Sequence, residues 1–315
     1  MPGAGPEEAK LSFSLKQVRY FIAAAQSGQF SQAAIALNVT QSAITAAIRQ
    51  LEETLATRLF ERHASGVALT TEGTRFLQHA RNIMAAVEEA ARSPRSSTAA
   101  VTGEVRVGVT YTVAGYFMPP HHARFVRSHP RIRIELYEAS RSAIEQALLD
   151  GALDIAVILT SNLADREKIE FETLMSSRRR LWLPDGHALS QVEKITLADI
   201  AREPYVMLTV DEASRTASRY WARSPYRPNI TFRTSSVEAV RSMVAAGMGI
   251  TILSDMVYRP WSLEGQRIEA RILADEVPTM DVGMIWRRGA GFSDATRAFF
   301  DYLGRAYNGA GHALA

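Results

Sequence analysis

The chain has 315 residues, 47% hydrophobic and 22% charged, so it is long enough for two or three domains with cores of their own. Its formal net charge of +3 excludes a generic polycation, and the absence of Cys excludes disulfides, thiolate metal sites and cysteine nucleophiles. The N-terminus has no secretory-signal pattern and no stretch has the length of a membrane span, so we expect a cytoplasmic protein with a disordered tail at residues 1–12.

The next segment predicts three helices. Ser14 and Gln17 have the spacing of a capping box at the start of the first helix. Ser31 is expected to cap a second, short helix, and Asn38 suits the left-handed turn behind it. Thr40 is a good cap for a third helix. The apolar stripe of that third helix consists of Ile44, Ile48, Leu51 and Leu55.

The opposite face of the third helix carries short polar groups and then one positive charge. These residues are Gln41, Ser42, Thr45 and Arg49. Amides and hydroxyls of this kind reach base edges, whereas helix N-termini and Arg bind phosphate. With a hairpin turning at Ser65-Gly66, the layout is that of a winged helix-turn-helix. A three-helix bundle without a DNA role is the alternative that the pattern alone leaves open.

A long helix is predicted after the hairpin. Its apolar residues alternate by four and three, which is typical of a coiled-coil seam: Phe76, Ala80, Ile83, Val87 and Ala90. This stripe favours pairing with a second copy, and the alternative is a helix that packs on its own domain. Pro94 and the Ser-rich residues around it end the helix and form a linker.

From Gly103 onward strands and helices alternate. The first unit has predicted strands at 105–109, 132–136 and 153–159, a helix from Pro119, and a helix from Ser142 with Glu145 as its capping partner. The second unit has strands at 181–183, 205–208, 230–232 and 249–253, and helices from Ser214 and Ser236. This order predicts parallel α/β sheets.

Hydroxyl-bearing residues follow the predicted strands of both units. They are Thr110, Tyr111, Thr112, Ser140, Thr160, Ser161, Thr209, Ser235 and Ser236. Ligands of open α/β sheets bind at the carboxyl ends of strands, near helix N-termini. Each Ser or Thr taken singly is better explained as a helix cap, but together they predict a pocket for a small organic anion, such as a carboxylate. Tyr111, Leu208 and Val237 would form its apolar walls.

Other motifs are interpreted as structural. Gly247 and Gly249 are expected to form a tight helix-to-strand turn rather than a nucleotide site. His121-His122 lacks partners at metal-ligand spacing, and the Arg178–Arg180 run is interpreted as a solvated strand edge. Since no catalytic motif is present, we expect no enzyme, no metal and no cofactor.

Several separate motifs carry a family resemblance. They are Ser31-x-Ala33-Ala34-x-x-Leu37, Thr40-Gln41-Ser42-Ala43-Ile44-Thr45, Leu51-Glu52, Leu59-Phe60-x-Arg62 and Leu69-Thr70-x-x-Gly73. In their order and spacing the chain resembles the LysR-type transcriptional regulators, from about Leu15 to about Tyr302. The fold class implied is α/β overall, with an N-terminal all-α winged helix-turn-helix and a two-lobed effector domain like periplasmic binding proteins. The implied segments are a DNA-binding domain at 13–71, a linker helix at 72–93, a hinge at 94–102, lobe I at 103–175 plus 277–308, and lobe II at 176–276.

The resemblance also implies roles for residues. The expected DNA contacts are Ser31, Thr40, Gln41, Ser42, Thr45, Arg49, Arg58, Arg62, His63 and Thr70. The expected effector contacts, between the lobes, are Thr110, Tyr111, Thr112, Ser140, Thr160, Leu208, Thr209, Ser235, Ser236 and Val237. Ala46 departs from the family, which often has Arg there, a guanine reader worth about 1–3 kcal/mol. Either Arg49 substitutes for it or Ala46 meets a thymine methyl.

The implied partners are an interrupted inverted repeat of double-stranded DNA, a small organic effector and further copies of the chain. A homodimer is expected, assembling into a homotetramer, and RNA polymerase is a further candidate partner. Tyr111 and the apolar candidates favour an aromatic or branched carboxylate as effector, and the lack of Cys excludes the peroxide-sensing branch of the family. The alternative from another class is a cytoplasmic solute-binding module whose N-terminal helices form an oligomerisation arm.

Overall fold

A computed structural model describes residues 13–63, 66–92, 101–163 and 167–308. The chain divides into two compact units, which are residues 1–97 with 308–315 and residues 98–307. No helix in the described ranges is long and apolar enough to cross a membrane. We describe each unit by itself.

The N-terminal unit contains the predicted helices and hairpin. Its elements are α1 (Leu15–Ser27), α2 (Phe30–Ala36), α3 (Gln41–Thr54), β1 (Phe60–His63), β2 (Gly66–Leu69) and α4 (Thr71–Arg92). Its core is one cluster around Val18, Phe21, Ile44 and Leu51, which are fully buried. These side chains come from the apolar stripes of α1 and α3, so the helical periodicity of the sequence places the core. The predicted winged helix-turn-helix is confirmed.

Local signals define where these helices begin and end. Ser14 Oγ accepts a hydrogen bond from the Gln17 amide at 3.2 Å, and Gln17 Oε1 accepts from the Ser14 amide at 2.6 Å. This is the predicted capping box. Thr40 Oγ1 accepts from the Ala43 amide at 3.2 Å, and Asn38 adopts the predicted left-handed conformation with φ of 51°. The turn between α2 and α3 is therefore confirmed in detail.

The apolar residues of α4 differ in burial along the helix. Ala80 is fully buried in the core of its own unit, and the Phe76 ring contacts the Phe21 ring edge-on at 5.0 Å between centroids. The first part of the predicted seam thus packs on its own domain, as the alternative interpretation held. Ile83 and Val87 are half-buried, and the side chain of Ala90 lies outside the described residues.

The second unit begins with a five-stranded sheet in the order β4-β3-β5-β12-β6. Its strands are β3 (Gly103–Val109), β4 (Ile132–Glu138), β5 (Ile155–Leu159), β6 (Ile169–Ser177) and β12 (Met280–Arg287). Its helices are α5 (Tyr111–Tyr116), α6 (Met118–Ser128), α7 (Arg141–Leu149) and α11 (Asp294–Asn308). We call these elements the first lobe.

The sheet of the first lobe is mixed rather than parallel. Strands β3, β4 and β5 are parallel, as predicted, but β12 runs antiparallel to both β5 and β6. The predicted parallel arrangement therefore holds for the three strands that the sequence identified, and β12 was not among them. Strand β12 returns from more than 100 residues later in the chain, and no local pattern encodes the direction of such a pairing.

The second lobe contains the remaining elements of this unit. They are β7 (Arg179–Pro184), α8 (Leu197–Ile200), β8 (Pro204–Leu208), α9 (Ala213–Ala222), β9 (Asn229–Thr234), α10 (Val237–Ala245), β10 (Thr251–Ser254) and β11 (Ile268–Arg271). Strands β8 and β9 are parallel, as predicted, whereas β7 pairs antiparallel with β10 and β11, so the parallel prediction is wrong for β7 and β10. A parallel bridge between Tyr205 and Ile250 joins the two groups of strands. The chain crosses between the lobes after β6 and again before β12.

Two helix starts differ from the predictions. Helix α2 begins one residue before Ser31, and no side chain caps it, so the assignment of Ser31 as a cap is wrong. Helix α7 is capped by Ser140, whose hydroxyl accepts a main-chain amide, and not by Ser142. Glu145 forms an ion pair within the helix instead of completing a capping box. Polar residues at neighbouring positions compete for a cap, and the backbone geometry decides between them.

Candidate functional site

The outer face of α3 carries the polar residues that the sequence singled out. Gln41, Ser42, Ala46 and Arg49 are exposed, whereas Thr45 is half-buried. The opposite face of the helix is buried in the core of its unit. The side chains of α3 are therefore sorted into a packed face and an exposed polar face, which a recognition helix requires.

Several of these polar groups already have partners within the chain. Thr45 Oγ1 donates to the Gln41 carbonyl oxygen at 3.0 Å, and Thr40 Oγ1 lies 3.0 Å from Ser42 Oγ. Arg49 Nε donates to Glu53 Oε1 at 2.9 Å, and the two side chains are 79% and 61% exposed. Because so exposed an ion pair is worth little, Arg49 can leave Glu53 at small cost.

The hairpin after α3 is fixed to the rest of its unit. Glu52 Oε1 accepts from the amides of Leu59 and Phe60 at 2.6 and 3.0 Å, which ties α3 to the start of β1. The Val67 amide donates to the Gly28 carbonyl oxygen at 2.7 Å, which ties β2 to the end of α1. The hairpin therefore has a defined position beside α3.

The remaining expected DNA contacts lie around this hairpin. Arg58 is exposed and Ser31 is half-buried. Thr70 Oγ1 donates to the Arg58 carbonyl oxygen at 2.7 Å and accepts from the Gly73 amide at 2.8 Å, so its hydroxyl caps α4. The backbone of Arg62 and His63 forms part of β1, whereas their side chains, like Ser65, lie outside the described residues.

In the second unit, a cavity of about 40 Å³ lies between the first and second lobes. Two of the ten expected effector contacts line it, Thr112 from α5 and Leu208 from the end of β8. Ser161, which follows β5 as the sequence suggested, lines it as well. The strand ends of both lobes thus meet at one cavity, as expected for an α/β ligand site.

The other eight expected contacts do not line this cavity. Ser140 and Ser236 cap α7 and α10. Thr160 Oγ1 donates weakly to the Asp281 carbonyl oxygen at 3.4 Å, and the amide of Thr209 donates to the Thr234 carbonyl oxygen. The remaining four are Thr110 and Val237, which are buried, Tyr111, which packs on the core of the second lobe, and Ser235, which is exposed.

Arg179 lines the cavity although the sequence placed it on a solvated edge. Its neighbours behave differently, since Arg178 is exposed and Arg180 Nε donates to Asp255 at 2.9 Å. In the described part of the chain, the Arg179 guanidinium donates only to main-chain carbonyl oxygens, those of Pro278 and, at 2.6 Å, of Thr279. Burial lowers the pKa of Arg179. The solvated-edge interpretation is wrong for this residue.

Two further polar residues of the cavity carried no signal in the sequence. Tyr220, on α9, is 5% exposed, and burial raises the pKa of its phenol well above the usual value. Asp211 lies in a short 3-10 turn after β8 with φ of 50°, and its Oδ2 accepts from the Thr112 amide at 2.7 Å. The cavity therefore combines one cation, one anion and hydroxyl groups with an apolar wall. No group of acidic or His residues able to hold a metal is found in the described ranges.

The exposed polar face of α3 and the cavity between the lobes are the sites that a ligand-responsive DNA-binding protein requires. Residues 15–74 match the family model for the bacterial regulatory helix-turn-helix protein of the lysR family, and residues 98–308 match the LysR substrate binding domain. The chain belongs to the LysR family of transcriptional regulators.

Similar proteins cover almost the whole chain. The uncharacterized HTH-type transcriptional regulator YwqM of Bacillus subtilis is 31% identical over 297 residues, which are 93% of this chain and 99% of the relative. The HTH-type transcriptional regulator AlsR of Bacillus subtilis is 29% identical over 254 residues, or 79% of this chain and 83% of the relative. The crystal structure of HinK, a LysR family transcriptional regulator from Pseudomonas aeruginosa, has a TM-score of 0.61 and 27% identity and covers 93% of this chain and 97% of HinK.

The predicted family and fold are therefore confirmed, and the protein is a DNA-binding transcriptional regulator with an effector-binding domain. The alternative of a solute-binding module with an oligomerisation arm is set aside, because its N-terminal residues match the DNA-binding model of this family.

Proposed function

We propose that this regulator responds to a small organic anion that binds between the lobes, with Arg179 as the group that receives its negative charge. The single observation that carries this proposal is the environment of the Arg179 guanidinium. It lines the cavity, and within the described residues only neutral carbonyl oxygens accept from it. A half-buried cation with these partners favours an anionic ligand, since charge-assisted bonds to a carboxylate are stronger than bonds to neutral acceptors.

The size of the cavity favours a short ligand. The cavity of about 40 Å³ has room for about three water molecules, since one water needs roughly 10–15 Å³. We therefore propose a short aliphatic carboxylate as the ligand. Thr112, Ser161 and Tyr220 supply hydroxyl groups for its remaining oxygen atoms.

For the DNA side we propose that α3 enters the major groove of an interrupted inverted repeat. Gln41 and Ser42 are exposed near the N-terminus of α3, which supports their role as base readers. Of the two explanations for Ala46, the structure favours neither outright, because both Ala46 and Arg49 are exposed. Arg58, with Arg62 and His63 of the wing, would contact the backbone or the adjacent minor groove.

We further propose assembly as a homotetramer built from dimers, with the half-buried Ile83 and Val87 of α4 as part of the dimer contact. RNA polymerase is the proposed partner on activation. The relatives are transcriptional regulators, and we propose no catalytic activity.

The anion site is tested by thermal unfolding of the full-length protein with acetate, pyruvate and benzoate. We expect one of the short acids to raise the melting temperature of the native protein, because a ligand that binds only the folded state stabilises it by mass action. Arg179→Gln should abolish that increase. Arg178→Gln is the matched control, since Arg178 is its exposed neighbour, and should leave the increase unchanged. An equal increase in native protein and Arg179→Gln would refute the role of Arg179.

A further inference from the structure

The short helix α5 belongs to the first lobe by sequence but is bound to the second lobe near both ends. Near its start, Asp211 Oδ2 accepts from the Thr112 amide at 2.7 Å. At its end, the Tyr116 hydroxyl donates to Glu238 Oε1, on α10, at 2.8 Å. Both bonds cross from one lobe to the other without involving the two chain crossings.

The packing of α5 is shared between two hydrophobic cores. Val113 is fully buried in the core of the first lobe together with Phe117, which directly follows the helix. Tyr111 and Tyr116 instead pack against the core of the second lobe, which contains Trp182. Because α5 contributes side chains to both cores, its packing against at least one core must be lost if the lobes move apart.

The acceptor at the Tyr116 end is itself fixed. Arg241, which is 2% exposed, forms an ion pair with Glu238 and donates through Nη2 to the Val257 carbonyl oxygen at 2.8 Å. The guanidinium of Arg259 lies 5.5 Å from the centroid of the Tyr116 ring, within cation–π distance. Burial and the bond to Glu238 raise the pKa of Tyr116 to about 12, so the phenol remains a donor at neutral pH.

The other end of α5 is next to the cavity. Asp211 and Thr112 both line it, so a bound ligand contacts one of the two lobe-crossing bonds directly. Asp211 makes its bond from a left-handed backbone conformation, with φ of 50°, that L-residues other than Asn and Asp rarely adopt. Its carboxylate would repel an anion placed in the same cavity.

We propose that α5 is a clasp that holds the two lobes in the arrangement described above, through the bonds near its two ends. The Thr112–Asp211 bond is its sensitive end, beside the cavity, and the Tyr116–Glu238 bond is its fixed end. One step rests on the proposed function: an anion bound near Arg179 weakens the Asp211 end and favours a different lobe arrangement, by its differential affinity for the two arrangements. The clasp itself requires no ligand.

Hydrogen–deuterium exchange of the ligand-free, full-length protein tests the clasp. Tyr116→Phe removes the donor and leaves Glu238 paired with Arg241, so we expect exchange in residues 111–117 to rise about fivefold, the loss of one net hydrogen bond. Asp211→Gly removes the other acceptor while allowing the same φ, and should also raise this exchange. Exchange in residues 111–117 should be faster in the double variant than in either single variant.

Tyr258→Phe is the matched control. The Tyr258 hydroxyl donates to the Ile268 carbonyl oxygen at 2.6 Å inside the second lobe, and burial raises its pKa to about 12, as for Tyr116. We expect this variant to leave exchange in residues 111–117 at the native rate. Native exchange in both Tyr116→Phe and Asp211→Gly, or an equal rise in Tyr258→Phe, would overturn the clasp. The proposed anion site is refuted by a separate result, which is an unchanged increase in melting temperature in Arg179→Gln.

Discussion

At the scale of single residues, Arg179 shows what a sequence pattern cannot distinguish. Three Arg side chains in a row have three environments, since Arg178 is exposed, Arg180 pairs with Asp255, and Arg179 lines the cavity. Strand alternation predicts only that Arg179 lies on one face of the sheet and that Arg178 and Arg180 lie on the other. The acceptors of Arg179 come from residues 278 and 279, about 100 positions later, so only the tertiary fold identifies it.

His121 gives a pH-dependent prediction at this scale. It is 4% exposed, its Nε2 lies 2.7 Å from the Tyr307 hydroxyl, and burial, with a smaller contribution from Arg124, lowers its pKa to about 4. The folded state therefore binds this proton more weakly than the unfolded state, whose His pKa is about 6.5. The neutral, buried His121 therefore contributes its full stability above pH 6.5, and this contribution to the free energy of unfolding is lost as the pH falls towards 4.

Because of His121, we expect the free energy of unfolding to fall by about 2 kcal/mol when the pH is lowered from 7.5 to 5, since each pKa unit corresponds to about 1.4 kcal/mol. Urea unfolding at both pH values measures this loss. His121→Gln should reduce the pH dependence by that amount, whereas His122→Gln, at the neighbouring half-buried position, should not. Equal pH dependence in native protein and His121→Gln would disprove the assignment.

Gln41 gives the corresponding prediction for DNA. It is exposed at the first position of α3, where an amide can make two hydrogen bonds to adenine, a discrimination worth about 1–3 kcal/mol. Gln41→Ala should therefore weaken binding to the cognate operator about tenfold or more and leave binding to random DNA nearly unchanged. Fluorescence anisotropy with both DNAs measures the ratio. The exposed Gln32 on α2, changed to Ala, serves as the control. Equal losses on both DNAs would contradict base readout.

At the scale of elements, periodicity and capping predicted the N-terminal unit well because its contacts are local. The stripes of α1 and α3, the turn at Asn38 and the hairpin all follow from residues near them in the chain. For the cavity between the lobes, the sequence indicated Thr112 and Leu208 but not Arg179, Asp211 or Tyr220. Ser140 and Ser236 bear hydroxyls at strand exits, but the first amides of α7 and α10 use them, and the sequence does not separate caps from ligand contacts.

The junction of hairpin and α4 gives a prediction at this scale. A Cβ at Gly73 would lie 2.0 Å from the Leu59 carbonyl oxygen, so only glycine allows α4 to pass the start of β1. We expect Gly73→Ala to lower the unfolding free energy of the DNA-binding unit by at least about 1–3 kcal/mol, as overpacking does. Thermal unfolding together with operator binding measures it. Gly115→Ala is the control: a Cβ at Gly115 meets only open space, so this variant should leave the unfolding free energy unchanged. An unchanged unfolding free energy in Gly73→Ala would refute the close approach.

At the scale of the whole molecule, the sequence predicts a DNA reader and a sensor, and the family match confirms both. What it did not predict is the direction of β12 or the packing of α5 between the lobes. Strand β12 adds an antiparallel strand to the first sheet, and α5 contributes to both cores. Each depends on contacts between residues about 100 positions apart or more, and hydrophobic patterning carries no signal for them.

The central claim is that an anion at Arg179 controls how the protein holds its operator. Footprinting on the DNA upstream of its own gene, with and without the short acid selected by thermal unfolding, tests it most directly. In the native protein the acid should change the protected region, and in Arg179→Gln the ligand-free footprint should persist at every acid concentration. A native footprint that ignores the acid, or an Arg179→Gln footprint that responds as the native one does, would contradict the account.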